Sequence, residues 1–243
     1  MKFALVDGYK SQPQPKLRGT CPHCDAEMVS KCGRTKVWHW AHKSRENCDS
    51  WWENETEWHR SWKNQFPDDW QEISHIDPNT GERHVADVKT PDGLVVEFQH
   101  SPMPLDELEA REGFYKNMVW IVSGLRNDFD LSYFRMGVSR EPIQTNPLAY
   151  SFYWAGRSRL MHNWSKAKAR VFIDFGDEIT KGPPVVWRLV FFDADNKRGA
   201  VGPYPKHLLI EAISKGEEIG VTYLPEKENN QKSVLGGGQH DQA

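Results

Sequence analysis

A β-hairpin is the feature that most constrains how this chain can fold, and the sequence predicts one between Arg83 and Ser101. The stretch contains two runs rich in β-branched and apolar residues, 85–90 and 94–99, which are separated by Pro91-Asp92-Gly93. An Asp-Gly pair between such runs is a strong local signal for a turn that joins two antiparallel strands. The register of these strands decides which of their side chains share a face.

Loop length determines where the two acidic residues of this hairpin lie. A two-residue loop would place Asp87 and Glu97 on opposite faces of the sheet. With three loop residues and a left-handed Gly93, Asp87 faces Glu97 directly and Gln99 lies beside them. That register also gathers four apolar side chains on the other face, as a core requires: Ala86, Val88, Val96 and Phe98. Directly opposed like charges destabilise a bare hairpin, and a divalent cation would remove the conflict. The sequence therefore predicts Asp87 and Glu97 as metal ligands.

The 4 cysteines of the chain all fall in its first fifth. This clustering favours a metal site in a reduced, intracellular protein over a disulfide framework. A Cys-x-x-Cys knuckle can hold zinc through two thiolates, and a later histidine and cysteine would complete a closed, structural site. The predicted ligands are Cys21, Cys24, His42 and Cys48, with His39 as an alternative to either of the last two. Cys32 is the least favoured ligand, and free thiols packed as small hydrophobic residues are the alternative interpretation.

A helix is predicted to begin at Ser50, because Glu53 three positions later completes a capping-box pattern, and to end before Pro67. Helical spacing then places four side chains on one face: Glu55, His59, Trp62 and Phe66. Burying the two aromatic residues against the sheet would bring Glu55 to the edge of the carboxylate pair. An ordinary surface pair of Glu55 and His59 is the alternative.

Further elements follow from alternation and helical spacing. Strands are predicted at 70–76 and 119–123 around the hairpin, with a helix from Pro104 to about Met118. The order from Ser50 is therefore αβββαβ. Residues 125–165 are ambiguous, and beyond them the sequence predicts strands at 170–175 and 185–192 and a helix at 206–215.

Charge is distributed unevenly along the 243 residues, although the net charge is only −3. Residues 1–46 carry 9 Lys/Arg and 4 Asp/Glu, whereas residues 47–110 carry 4 and 15. A basic lobe beside an acidic one is typical of a phosphate-binding module next to a cation site, although solvated faces give similar counts. No apolar run approaches the roughly 20 residues of a membrane span, and the start of the chain is too short and polar for a signal peptide. We expect a cytoplasmic protein with no membrane contact.

Residues from Cys21 to Trp120 resemble the competence protein CoiA-like family, whose core resembles the PD-(D/E)XK nuclease fold. The matching pieces, in order, are CPHC at 21–24, HWAH at 39–42, E-T-x-x-H-x-x-x-K from Glu55 to Lys63, the aspartate of VADV, EFQHS at 97–101, and R-x-x-x-Y at Arg111 and Tyr115. The expected fold is α+β or α/β, with a restriction-endonuclease-like αβββαβ core. The expected organisation is an N-terminal zinc-knuckle module at 1–49, the nuclease core at 50–125, a C-terminal β-rich extension of unknown role at 126–225, and a disordered tail at 226–243.

The resemblance implies metal-dependent cleavage of phosphodiester bonds in DNA. Asp87 and Glu97 would hold Mg²⁺ or Mn²⁺, and Glu55 would be a further ligand or would position water. Gln99 stands where the wider fold usually has lysine, so it can orient water or phosphate but cannot supply charge. This leaves the catalytic base open, with His59 as a candidate.

The zinc module would contact the DNA backbone through its basic residues, and the strand form of the DNA is left open. Trp38 and Trp40 are candidates for stacking on bases, with packing around the zinc site as the alternative. Two other functions compete with the nuclease: a non-catalytic nucleic-acid-binding or adaptor protein on the same fold, and a protein-interaction module at 140–243 with an unknown partner.

Overall fold

The computed structural model describes residues 1–44, 48–52, 55–177 and 182–219. The predicted tail at 226–243, and Glu53 of the predicted capping box, lie outside this range. The described residues form a five-stranded and a nine-stranded sheet with five α-helices. No helix among them is long and apolar enough to cross a membrane.

The five-stranded sheet belongs to the N-terminal module and is antiparallel throughout. Its strands are β1 (Ala4–Val6), β2 (Tyr9–Ser11), β3 (Arg18–Thr20), β4 (Glu27–Lys31) and β5 (His39–His42), in the order β2-β1-β3-β4-β5. Met28 and Trp40, both 0% exposed, pack with Cys21 in the small core of this module. Trp40 also donates a hydrogen bond from Nε1 to the carbonyl of Ser11. Stacking of Trp40 on bases is therefore wrong, whereas Trp38 is exposed.

The next elements follow the predicted αβββαβ order. They are α1 (Glu57–Lys63), β6 (Gln71–Ile76), β7 (Arg83–Lys89), β8 (Val95–Gln99), α2 (Leu105–Tyr115) and β9 (Met118–Ser123). The predicted helix start at Ser50 is wrong, because Thr56 is the N-cap of α1. The Thr56 side chain accepts a hydrogen bond from the backbone N–H of His59, whose own side chain accepts one from the Thr56 N–H. The start of the helix is thus fixed by a local capping box that lies six residues beyond the predicted one.

The hairpin of β7 and β8 has the predicted three-residue loop. Thr90 and Leu94 close it with a hydrogen bond of 2.9 Å, and Gly93 has φ +89°, a conformation that glycine adopts at no steric cost. Val88 pairs with Val96 and Lys89 with Val95. The loop chemistry therefore sets the register that places Asp87 opposite Glu97.

The remaining elements are α3 (Asp130–Gly137), β10 (Gln144–Thr145), β11 (Leu148–Tyr153), α4 (Leu160–Trp164), β12 (Arg170–Asp174), β13 (Val185–Asp193), β14 (Arg198–Pro205) and α5 (Lys206–Lys215). Their strands continue the sheet of the hairpin, in the order β10-β11-β14-β13-β12-β9-β8-β7-β6. Strand β12 pairs in parallel with β9, and β9 in parallel with β8. The large sheet therefore runs without a break across position 125, where the core was predicted to end.

Hydrophobic clusters cover both faces of the large sheet, as the alternation along β9 illustrates. Trp120 and Val122 pack in one cluster, whereas Val119 and Ile121 pack in the other. In the hairpin, Val88, Val96 and Phe98 share a cluster as predicted, but Ala86 packs in the opposite one. Grouping Ala86 with the other three was therefore wrong, because Ala86 contacts the cluster that contains Trp120 and Phe114.

Candidate functional site

Three carboxylates lie in one row across strands β6, β7 and β8. Pairing of Gln71 with Val88 and of Ile73 with Ala86 places Glu72 opposite Asp87. The hairpin register places Glu97 on the other side of Asp87. The ladder is interrupted at this row, and Glu72 has a left-handed backbone with φ +53°. Regular backbone pairing between the strands is thus interrupted at the row where the acidic side chains meet.

Asp87 and Glu97 replace the missing ladder bonds with their own side chains. The backbone N–H of Asp87 donates to Oε1 of Glu97 at 3.1 Å, and the N–H of Phe98 donates to Oδ2 of Asp87 at 3.0 Å. Each carboxylate is therefore fixed by the backbone of the neighbouring strand. The predicted pair is brought together and rigidly oriented.

Glu97 is the more buried member of this pair, with 4% of its surface exposed. Burial and the nearby Asp87 charge raise the pKa of Glu97 to about 8, although the guanidinium of Arg111 opposes the shift. Nη1 of Arg111 lies 3.1 Å from Oε2 of Glu97. At neutral pH the pair therefore carries a proton that a cation would displace.

Lys63 reaches the same row from helix α1 and is almost fully buried. Its Nζ lies 2.8 Å from Oε1 of Glu72, 3.3 Å from Oε1 of Glu55 and 3.6 Å from Oδ1 of Asp87. Burial favours the neutral amine, but the three carboxylates outweigh it and raise the pKa of Lys63 above its usual value. Burial likewise raises the pKa of Glu72, but Lys63 outweighs it and holds that pKa well below its usual range. One buried cation therefore balances part of the acidic charge.

Glu55 lies in the site as predicted, but outside helix α1. Both of its oxygens are engaged: Oε1 accepts a 2.9 Å hydrogen bond from Nε of Arg60, and Oε2 contacts the Arg60 guanidinium. Burial raises its pKa, but Lys63 and Arg60 hold the pKa of Glu55 below its usual value. This geometry suits a charged group that orders its neighbours better than a direct metal ligand.

His59 lines the site, but both of its ring nitrogens already have partners. Nδ1 accepts from the Thr56 backbone, and Nε2 donates to the carbonyl of Phe98 at 2.7 Å. These hydrogen bonds fix the orientation of the ring. The role of His59 as a general base stays a prediction. Gln99 is also buried, and its Nε2 donates to the carbonyl of Ser101 at 3.0 Å.

A cavity of about 70 Å³ joins these groups, and Glu55, His59, Lys63, Asp87, Glu97 and Gln99 all line it. This volume is several times the roughly 10–15 Å³ that one water requires. Hard divalent cations take carboxylate and water oxygens as ligands. The opposed carboxylates and the space beside them therefore fit a hydrated Mg²⁺ or Mn²⁺.

The N-terminal module holds a second cluster of ligand atoms. Sγ of Cys21, Cys24 and Cys48 and a ring nitrogen of His42 all lie within 4.8 Å of one another. Sγ of Cys24 is 3.4 Å from Nε2 of His42, and Sγ of Cys21 is 3.7 Å from Sγ of Cys48. Three thiols and one imidazole are a donor set that zinc takes in closed tetrahedral sites, so the group could bind such a metal.

The alternative ligand His39 lies outside this cluster, with its Nδ1 2.8 Å from the carbonyl of Val37. Cys32 is outside it as well. Burial and the neighbouring thiols raise the pKa of Cys48 above its usual value. The predicted set of four is therefore the set that the fold assembles.

A short path connects the two clusters. Asp49 follows Cys48, and its buried carboxylate accepts hydrogen bonds from the backbone N–H of Val85 on β7 and of Trp51. The carbonyl of Trp51 then accepts from Nη2 of Arg111 at 2.7 Å, while Nη1 of Arg111 contacts Glu97. The segment after the cysteine cluster thus fixes the guanidinium that orients Glu97.

Lys63, Glu72 and Asp49 belong to the site, although no pattern in the sequence predicts a role for them. Lys63 lies four residues after His59 on a predicted helix, so helical spacing alone could have indicated it. Glu72 lies in a predicted strand, but its place beside Asp87 depends on a register that no local pattern encodes. No sequence pattern around Asp49 indicated that it belongs to the site.

Comparisons with curated proteins and with solved structures found no match. A family model for the N-terminal domain of competence protein CoiA matches residues 11–50. This stretch contains all four residues of the Cys₃His cluster. The predicted resemblance to the competence protein CoiA-like family is therefore confirmed for the N-terminal segment of the chain, residues 11–50.

Proposed function

We propose that this protein is a nuclease that hydrolyses phosphodiester bonds in DNA with the help of Mg²⁺ or Mn²⁺ at Asp87 and Glu97. The observation that carries the proposal is the pair itself: two opposed carboxylates with fixed orientation, one of them buried with its pKa raised to about 8, beside a cavity. Such perturbed acids in a cavity are a recognised indication of a functional site.

The cation, when bound, would supply Lewis-acid polarisation of a phosphate oxygen and a bound water of lowered pKa. Asp87 and Glu97 would hold it, and Glu97 must lose its proton to do so. Arg111 favours that loss, because its charge lowers the pKa of Glu97. Lys63 contacts both Asp87 and Glu55 and lowers the pKa of Glu55, so it supplies inside the site the positive charge that Gln99 does not.

The N-terminal module would bind zinc through Cys21, Cys24, His42 and Cys48 and contact the DNA backbone. Among its described residues, Lys10 is exposed but donates to the carbonyls of Asp68 and Gln71, and six further basic side chains are exposed: Lys16, Arg18, Lys31, Arg34, Lys36 and Lys43. Arg18 and Lys43 both pair with Glu27, so the other four are better placed to contact phosphates. Such contacts position a protein on DNA without selecting a sequence.

One observation favours the competing function, a DNA-binding protein that does not cleave. Lys63 already neutralises part of the acidic row, so the row could persist without a divalent cation. The two functions differ in their dependence on metal, since only the nuclease requires Mg²⁺ or Mn²⁺ at Asp87 and Glu97.

Cleavage of circular DNA tests the proposal. Circular single-stranded and supercoiled DNA would be incubated with the zinc-loaded protein and Mg²⁺, Mn²⁺ or no added divalent cation, alongside linear substrates. The proposal predicts metal-dependent cleavage that is lost in Asp87→Ala and retained in Asp92→Ala, a control in the exposed hairpin loop. Intact circles and intact linear DNA under every condition, with DNA still retarded in a gel, would establish the binding function instead.

A further inference from the structure

A second and larger cavity, of about 490 Å³, lies next to the carboxylate row. Gln99 lines the first cavity, and the next residue, His100, lines the second. Ser123, the last residue of β9, lies in its wall as well. Ligands of α/β sheets bind outside the carboxyl ends of parallel strands, and β8 and β9 are a parallel pair. The cavity therefore occupies the edge of the sheet where a ligand is expected.

Two exposed arginines give this cavity a positive rim. Arg126 and Arg159 both line it, and no carboxylate of the described residues forms an ion pair with either. The buried Asp130 also lines the cavity, but its Oδ2 accepts a 2.9 Å hydrogen bond from Asn127. Nδ1 of His100 is buried without a protein partner. The wall thus presents two cationic groups and an unsatisfied polar atom.

Met103, Leu160 and Trp164 form an apolar part of the wall, and serine and asparagine side chains such as Ser158 and Asn163 line the cavity as well. Ligand sites of about 300–1,000 Å³ typically combine such apolar walls with a few polar groups. A cationic rim above an apolar wall matches a nucleotide, which joins a phosphate to a flat base. Inorganic phosphate alone would use only the rim.

We propose that this cavity binds one nucleotide of the strand that occupies the carboxylate row, with its phosphate at Arg126 and Arg159 and its base against Met103, Leu160 and Trp164. The inference rests on the proposed nuclease function and specifies its substrate. A base can enter such a cavity only when it is unstacked and unpaired. The preferred substrate is therefore single-stranded DNA, or duplex DNA with an unpaired end or flap.

Fluorescence anisotropy with a labelled oligodeoxythymidylate tests this inference in the absence of added Mg²⁺ and Mn²⁺, so that cleavage does not interfere. The double variant Arg126→Ala/Arg159→Ala should bind the single strand at least ~10-fold more weakly than wild type, with a salt slope reduced by about 1–2. Its affinity for a blunt duplex should change less than ~2-fold. Arg157→Ala, which removes a neighbouring exposed arginine outside the cavity, should behave as wild type.

Competition distinguishes a nucleotide from a bare anion. Thymidine 5′-monophosphate should displace the oligonucleotide from wild type at lower concentration than inorganic phosphate does, and this difference should disappear in the double variant. Unchanged single-strand affinity in the double variant, or equal competition by the two anions, would overturn the inference. If wild type cleaves DNA but the double variant binds the single strand with unchanged affinity, only the proposed nucleotide binding in the cavity is refuted. If the double variant loses affinity but wild type cleaves no DNA, only the proposed nuclease activity is refuted.

Discussion

The proton on Glu97 makes the stability of this protein depend on pH in a direction that can be worked out. The pKa of Glu97 is about 8 in the folded protein and 4.5 as an ordinary carboxyl. Because the folded pKa is the higher one, the folded state binds more protons between these values. The contribution of Glu97 to stability is therefore fully present below pH ~4.5 and is lost as pH rises through ~8.

The magnitude follows from the difference between the two pKa values. A shift of about 3.5 units at roughly 1.4 kcal/mol per unit corresponds to about 5 kcal/mol in total. About 4 kcal/mol of this is lost between pH 5 and 8.5. The group is 4% exposed, so solvent screening scarcely reduces the effect. Glu55 and Glu72 have lowered pKa values and titrate below this window.

The substitution Glu97→Gln isolates this contribution. Glutamine cannot accept from both Asp87 and Arg111, so the variant loses a hydrogen bond worth about 1 kcal/mol at every pH. Histidines with lowered pKa values add a pH dependence of opposite sign, but it is common to both proteins and cancels in the difference. Urea unfolding of both zinc-loaded proteins from pH 5 to 8.5 should show the advantage of wild type falling by about 4 kcal/mol. If the free energies of unfolding of the two proteins changed in parallel with pH, the claim that Glu97 is protonated in the folded protein would be refuted.

Three further predictions concern the residues around the row. Wild type should bind one equivalent of zinc by elemental analysis, Cys24→Ser should lose it, and Cys32→Ser should retain it, because only Cys24 belongs to the cluster; equal loss in both variants would contradict the ligand set. Lys63→Met should lower the free energy of unfolding by about 3–5 kcal/mol, because it leaves buried carboxylates without their cation, whereas the exposed Lys36→Met should change it by less than about 0.5 kcal/mol; a Lys63 variant as stable as wild type would show that the network is not formed. Arg111→Met should raise the pKa of Glu97 and so move the pH midpoint of Mn²⁺ binding, followed by electron paramagnetic resonance, to higher pH; an unchanged midpoint would show that Arg111 does not act on Glu97.

The sequence predicts those parts of the site whose geometry is determined by residues close together in the chain. The Asp-Gly loop specifies the hairpin register, and that register alone brings Asp87 to Glu97. The Cys-x-x-Cys knuckle limits zinc ligands to a few residues, and the fold chooses His42 over His39. The hairpin register can be inferred from residues that are neighbours in the sequence, and the zinc ligands can be inferred from known coordination chemistry.

The parts that it misses depend on distant contacts. Glu72 meets Asp87 through strand pairing, and Lys63 reaches from a helix to two strands, β6 and β7, so no local pattern encodes either contact. The nine-stranded sheet was missed for the same reason, because β12 pairs with β9 although it lies about 50 residues further along the chain. The partners of His59 are missed for a similar reason: its spacing from Glu55 does not predict that its nitrogens bond to the helix cap and to the Phe98 carbonyl.

Anomalous diffraction from crystals soaked in Mn²⁺ tests the central claim, that Asp87 and Glu97 form a divalent-cation site, most directly. Data collected at the manganese and zinc edges distinguish the two metals. We expect manganese between the carboxylates of Asp87 and Glu97 at pH 8.5, zinc among Cys21, Cys24, His42 and Cys48, and no manganese at the row in Asp87→Asn. Manganese absent from the row of wild type at saturating concentration, with zinc present in the N-terminal module, would contradict the claim.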